Sequence, residues 1–113
     1  VGSTQTLGLG GDYLEGIIAP FVNNPSSTFK EKFVSKFGVE PGITADSSYD
    51  ATKVVLGIMT VTKKTDAETI KNNLYKINNY QGASGLIAVD SNGDTHRPLQ
   101  LMIVKDGQLI PLK

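Results

Sequence analysis

The chain has 113 residues, 11 basic and 11 acidic side chains, a formal net charge of zero and no cysteine. That length suits one domain with its own core, and the missing thiols exclude a disulfide framework, thiolate zinc, iron–sulfur clusters and a cysteine nucleophile. Zero net charge argues against binding nucleic acid by phosphate neutralisation, which needs a basic face, so nucleic acid is not an expected partner.

Residues 1–12 are rich in Gly, Ser and Thr and read as an irregular lead-in. Leu14, Ile17, Ile18, Phe21 and Val22 then form an apolar patch suited to a strand. A helix follows, with Asn24 as N-cap, Pro25 at the first helical position, and Thr28 with Glu31 as a later capping box. Phe29, Phe33 and Phe37 recur every fourth residue, and this stripe is expected to pack into a core. Gly38 suits the left-handed position that ends the helix.

A second helix is expected from Ser47 or Ser48, with Ser47 and Asp50 as a capping box. Its Ala51, Val54, Val55, Ile58 and Met59 face is almost wholly aliphatic and suits a sheet. Gly57 in its middle implies a close neighbour. A third helix opens at Thr65 with Glu68 as its box partner and closes at Asn78-Asn79. The remainder reads as β. Leu86 to Val89 is a strand, Asp90 to Asp94 a turn, and Leu99 to Val104 a second strand. Asp106-Gly107 is a primed two-residue turn into Leu109-Ile110. The fold class is α/β: a layered sheet, about three helices and a C-terminal β-hairpin.

The chain offers little to catalysis. His96 is its one histidine, and a single imidazole argues for no metal. Gly82-Ala83-Ser84-Gly85 falls one residue short of a nucleophile elbow. Gly8-Leu9-Gly10-Gly11 fails as a dinucleotide loop because position 13 is Tyr13. Asp90-x-Asn92-x-Asp94 opens like a calcium loop, but Thr95 stands where Gly is needed and Leu101 where Glu is needed. Local hydrogen bonding in a turn is the plainer account. No cofactor is expected. Asp46 and Asp50 are paired carboxylates four apart, read as a loop residue and as a complement to the helix dipole. Thr44, Asp46, Ser47 and Ser48 lie where an extended segment meets a helix N-terminus, a junction that offers backbone N–H groups to a ligand. They are the candidate ligand-binding residues.

The order of motifs resembles a known family. Tyr13-Leu14-Glu15-Gly16-Ile17-Ile18 precedes the aromatic helix. Ser48-Tyr49-Asp50-Ala51 opens the aliphatic one. Tyr80-Gln81-Gly82-Ala83-Ser84-Gly85 leads into a strand, followed by Asp90-Ser91-Asn92-Gly93-Asp94 and Lys105-Asp106-Gly107. From about residue 12 to 111 this is similar to the C-terminal part of branched-chain amino-acid type periplasmic solute-binding proteins, the receptors of ABC importers. The resemblance implies a two-lobe fold, a small-molecule ligand held between the lobes, an ABC permease as partner and an extracytoplasmic location. It implies no enzyme. Thr44 falls where the family often places an aromatic cleft residue, and the family's carboxylate-binding serines and threonine come from an earlier part of the chain. Residues 1–22 would end the second lobe, 23–80 supply first-lobe helices, and 81–113 the closing strands and hairpin. The start at Val1 has no methionine and no signal-peptide pattern, so the chain is expected to be a cut-out of the last third. Open sheet edges in such a cut-out imply self-association. A ligand-sensing ectodomain or a small α/β interaction module are the other readings.

Overall fold

The structure is a computed structural model that describes residues 4–22 and 26–112. Asn24 and Pro25, expected to start the first helix, lie outside the described residues. The chain divides into two compact units, Val1–Asn23 with Pro98–Lys113, and Asn24–Arg97.

In the first unit, α1 (Thr4–Gly10) and a 3-10 turn (Gly11–Leu14) replace the expected irregular lead-in. No periodic apolar face announces α1. Strand β1 (Ile18–Val22) pairs antiparallel with β5 (Leu99–Lys105), which pairs in turn with β6 (Gln108–Pro111). The β5–β6 turn is of the expected primed type, with Asp106 and Gly107 both at positive φ (51° and 69°). Glu15 caps it: the Asp106 N–H donates to Oε1 at 2.9 Å and the Gly107 N–H to Oε2 at 3.3 Å. Register puts Ala19, Phe21, Met102, Val104 and Leu109 on one face of this sheet. Met102 and Val104 are the fully buried apolar side chains among the described residues.

The second unit contains α2 (Ser27–Phe37), α3 (Ala45–Thr62), α4 (Ala67–Leu74) and the antiparallel strands β2 (Tyr80–Gly82), β3 (Gly85–Val89) and β4 (Thr95–His96). The periodic apolar faces mark all three helices, but the caps differ from expectation. Ser26 caps α2, accepting from the Phe29 N–H. Asp66, not Thr65, caps α4, accepting from the Thr69 N–H at 2.8 Å. That backbone hydrogen bond holds the Asp66 carboxyl below its ordinary value. Helix α2 ends at Gly38, left-handed at φ 71°, as expected.

Helix α3 begins at Ala45, two residues before Ser47, with Thr44 as an N-cap that makes no side-chain cap bond. It packs against α4. Gly57 meets no neighbour within 4 Å, contrary to the close approach expected there. It lines a shallow groove of about 300 Å³ with Val54, Ile58, Val61, Ile77 and Tyr80. The phenylalanine stripe stacks on itself and on Tyr49, with ring centroids 4.7 to 5.7 Å apart. It does not enter a core, because Phe37 remains 57% exposed and Tyr49 49%.

The edges of both sheets are blunted. Strand β1 carries Pro20 and β6 carries Pro111, each lacking an N–H to offer. Strands β2 and β4 are only three and two residues long.

Gly107 occupies a backbone region that costs an L side chain roughly 1 kcal/mol or more. Gly107→Ala is expected to lower stability by about that amount. A shift in the denaturant midpoint checks it, and an unchanged midpoint would contradict the assigned turn.

Candidate functional site

The second unit is organised around the two-residue turn between β2 and β3, Ala83-Ser84. Every backbone polar group of these two residues is taken. The Ala83 N–H donates to Asp50 Oδ1 and the Ser84 N–H to Asp50 Oδ2, both at 2.7 Å. The Ser84 hydroxyl adds a third bond to Oδ2 at 2.6 Å. The Ala83 carbonyl accepts from the Ser26 N–H at 2.8 Å, and the Ser84 carbonyl from Arg97 Nη2 at 2.8 Å. Asp50 and Ser84 are each 2% exposed. A buried carboxylate with three donors is a satisfied group, and it fixes the start of α3 to a turn 33 residues further along the chain.

Asp50 is therefore neither a capping-box partner nor a dipole complement. It reaches away from its own helix, and no local pattern signals this. Gly82 is the one trace in the sequence. A Cβ there would run into the Asp50 carboxylate, so only glycine lets the carboxylate approach.

One turn earlier, Asp46 is not a loop residue but lies in the first turn of α3, 4% exposed. Its Oδ1 accepts the Ser47 N–H at 2.7 Å and the Ser47 hydroxyl at 3.3 Å. Arg97 joins the group. Its Nη1 donates to the Ser47 hydroxyl oxygen at 3.0 Å, and its Nη2 lies 3.8 Å from Asp46 Oδ2. Asp46 and Ser47 are thus brought together with Arg97 and Ser84. Thr44 and Ser48 stay outside this group, and both are exposed. At this helix start the Ala45 N–H is taken by the Gly42 carbonyl and the Ser48 N–H by the Thr44 carbonyl. The junction offers side-chain hydroxyls rather than a cluster of bare N–H groups. Sequence reasoning missed Arg97, whose partners lie 13 and 50 residues away.

The other polar cluster is the β3–β4 turn. Asp90 Oδ1 accepts from the Asn92 N–H at 2.8 Å and the Asp94 N–H at 2.9 Å, and Oδ2 faces His96 Nε2 at 2.9 Å. The calcium-like run is thus a turn held by its own side chains. The His96 bond, followed by the Asp94 and Asn92 amides, holds the Asp90 carboxyl below its usual value. No group of three metal-ligating side chains occurs among the described residues.

Removing Asp50 strands the turn's donors. Asp50→Ala is expected to cost about 3 kcal/mol, and Gly82→Ala about 2 kcal/mol through overpacking, both read as losses of unfolding free energy. Wild-type stability in either variant would contradict the geometry. Because the Asp90 carboxyl is depressed on folding, its contribution is complete above the ordinary value of 3.8 and lost as pH falls through the lower folded value. Protection of the Asp94 amide, its exchange rate relative to the intrinsic rate at the same pH, is expected to fall only in that acid range. Asp90→Asn is expected to remove the dependence.

No family model and no curated protein matches the chain. Solved structures do. A leucine binding protein, LivK, from Thermotoga maritima is 29% identical over 97% of this chain and 33% of its own, with a TM-score of 0.81. A branched-chain amino acid ABC transporter protein from Rhodospirillum rubrum is 21% identical over 97% of this chain and 34% of its own, at 0.75. A solute binding protein of an ABC transporter from Rhodopseudomonas palustris, in complex with 3,4-dihydroxybenzoic acid, is 22% identical over 97% and 33%, at 0.70. The chain spans about a third of the length of each.

Proposed function

We propose, from the premise that this chain has the fold of the branched-chain amino-acid type of ABC-importer solute-binding protein, that it is part of an extracytoplasmic receptor. That receptor captures a small ligand, an amino acid or a similar carboxylate, between two lobes and delivers it to an ABC permease. It binds and releases its ligand without transforming it. The observation that carries this reading is the match to LivK over 97% of the chain at a TM-score of 0.81. In this reading the unit built on β1, β5 and β6 belongs to one lobe and the unit built on α2 to β4 to the other. The division of the chain at Asn23 and Pro98 supports it.

The same reading makes residues 44–48 a ligand-binding edge. The exposed hydroxyls of Thr44 and Ser48 contact the ligand. Asp46 and Ser47, tied to Arg97, hold the start of α3 in place for them. Binding by hydroxyls rather than an aromatic wall suits a polar part of the ligand.

The test is calorimetry on the receptor polypeptide that carries this chain, titrated with leucine, isoleucine and 3,4-dihydroxybenzoate. Saturable binding of at least one is expected. Thr44→Ala and Ser48→Ala are each expected to weaken it about tenfold, the value of one hydrogen bond of about 1.4 kcal/mol. Absence of heat with all three ligands would overturn the transport reading.

A further inference from the structure

The β3–β4 turn carries Asn92-Gly93. Asparagine is a chemically labile side chain. The backbone nitrogen of the next residue can attack its amide carbon, and glycine, with no Cβ, obstructs that nitrogen least. Of the seven asparagines in the sequence, Asn92 alone precedes glycine.

The structure separates this position from the others it describes. Asn92 and Gly93 are both exposed. Asn92 is fixed through its main-chain N–H, which donates to Asp90 Oδ1, and no hydrogen bond holds its side-chain amide among the described residues. Asn72 and Asn73 lie in α4, where the Asn73 amide donates to the Thr69 carbonyl at 2.8 Å. Asn78 and Asn79 are each followed by a residue with a side chain. Asp106-Gly107 offers a related ring closure, but its Gly107 N–H donates to Glu15 Oε2 at 3.3 Å, and an anion there opposes loss of the proton. The Gly93 N–H donates instead to the neutral Asp90 carbonyl at 3.1 Å. The Asp90 carboxylate is turned to the Asn92 and Asp94 amides and to His96.

We propose that Asn92 is a site of spontaneous deamidation, and that its isoaspartate product releases β4 from the turn. The Gly93 N–H gives its proton to solvent base, and its nitrogen bonds to Asn92 Cγ. The Cγ–Nδ2 bond breaks, and with a proton from water the nitrogen leaves as ammonia. Water then opens the succinimide ring. Opening at the side-chain carbonyl leaves aspartate. Opening at the main-chain carbonyl leaves isoaspartate, whose backbone runs through Cγ and is one methylene longer. Nothing is oxidised or reduced, and either product adds a negative charge.

The longer backbone matters because β4 is short. Only Thr95 and His96 pair with β3, opposite Val89 and Ala88. A methylene inserted between Asp90 and Asp94 displaces the Asp94 N–H from Asp90 Oδ1 and the His96 ring from Oδ2, both now at 2.9 Å. The aspartate product keeps the original spacing and these contacts. The inference does not depend on the receptor reading.

The test ages the polypeptide that carries this chain, folded in mildly alkaline buffer, for as long as its urea-unfolded form takes to convert at Asn92. Peptide mapping by mass spectrometry reads the products. In the folded protein Asn92 is expected to convert at least tenfold faster than Asn72, Asn73, Asn78 and Asn79. Part of the product is expected to be a substrate for isoaspartyl methyltransferase. Asn92→Gln, whose ring needs one more carbon, is expected to convert at least tenfold more slowly. Gly93→Ala is a poorer probe, since φ is 88° there and a Cβ would meet the Tyr75 hydroxyl at 3.3 Å. Protection of the Asp94 amide is expected to fall at least tenfold in the isoaspartate form, separated by charge, and to persist in Asn92→Asp. An Asn92 that stays intact in the folded protein, or converts no faster than the other asparagines, would overturn the site. Undiminished Asp94 protection in the isoaspartate form would overturn the release of β4.

Discussion

The carboxylate of Asp50 is the constraint on which the second unit depends. It leaves its own helix, enters the β2–β3 turn and takes three donors there. Burying such a group costs several kcal/mol unless it is hydrogen-bonded, and here three donors reach it. The same turn receives the start of α2 through Ser26 and the end of β4 through Arg97. Three helix and strand termini therefore meet at two residues, and each is held by a hydrogen bond rather than by apolar packing. That arrangement suits a unit with half-exposed phenylalanines and no fully buried apolar side chain among its described residues.

The first unit repeats the device on a smaller scale. Glu15 caps the Asp106-Gly107 turn across 91 residues of sequence. In the second unit Asp90 does so locally, capping its own turn and binding His96. The motifs that suggested the family by their order are thus physically coupled in pairs. Tyr-Asp-Ala at the start of α3 serves the Gly-x-x-Gly turn, and Glu-Gly before β1 serves the Lys-Asp-Gly hairpin.

That coupling also explains what could be read in advance. Helices α2, α3 and α4 carry a clear apolar period, and the primed turn at Asp106-Gly107 follows from residues that tolerate positive φ. These were legible because their causes are local. The helix starts were less so. Thr65 and Asp66 both suit a cap, and reach to the Thr69 N–H decides between them. Ser47 and Asp50 have the spacing of a capping box, but a partner 33 residues away wins the carboxylate. Helix α1 lacks any period to read. Of the candidate ligand edge, Thr44 and Ser48 lie exposed, while Asp46 and Ser47 turn inward to Arg97. That division depends on Arg97, which no spacing rule connects to α3. The apolar run of β5 was legible as a strand.

The Asp50 carboxylate fixes the β2–β3 turn and, through it, the start of α3. Native-state hydrogen exchange at the Ala83 and Ser84 amides tests it most directly. Both amides are expected to exchange only with unfolding of the second unit, and Asp50→Asn to accelerate both by at least tenfold. Exchange as fast as in an open surface turn, with no change in Asp50→Asn, would contradict it.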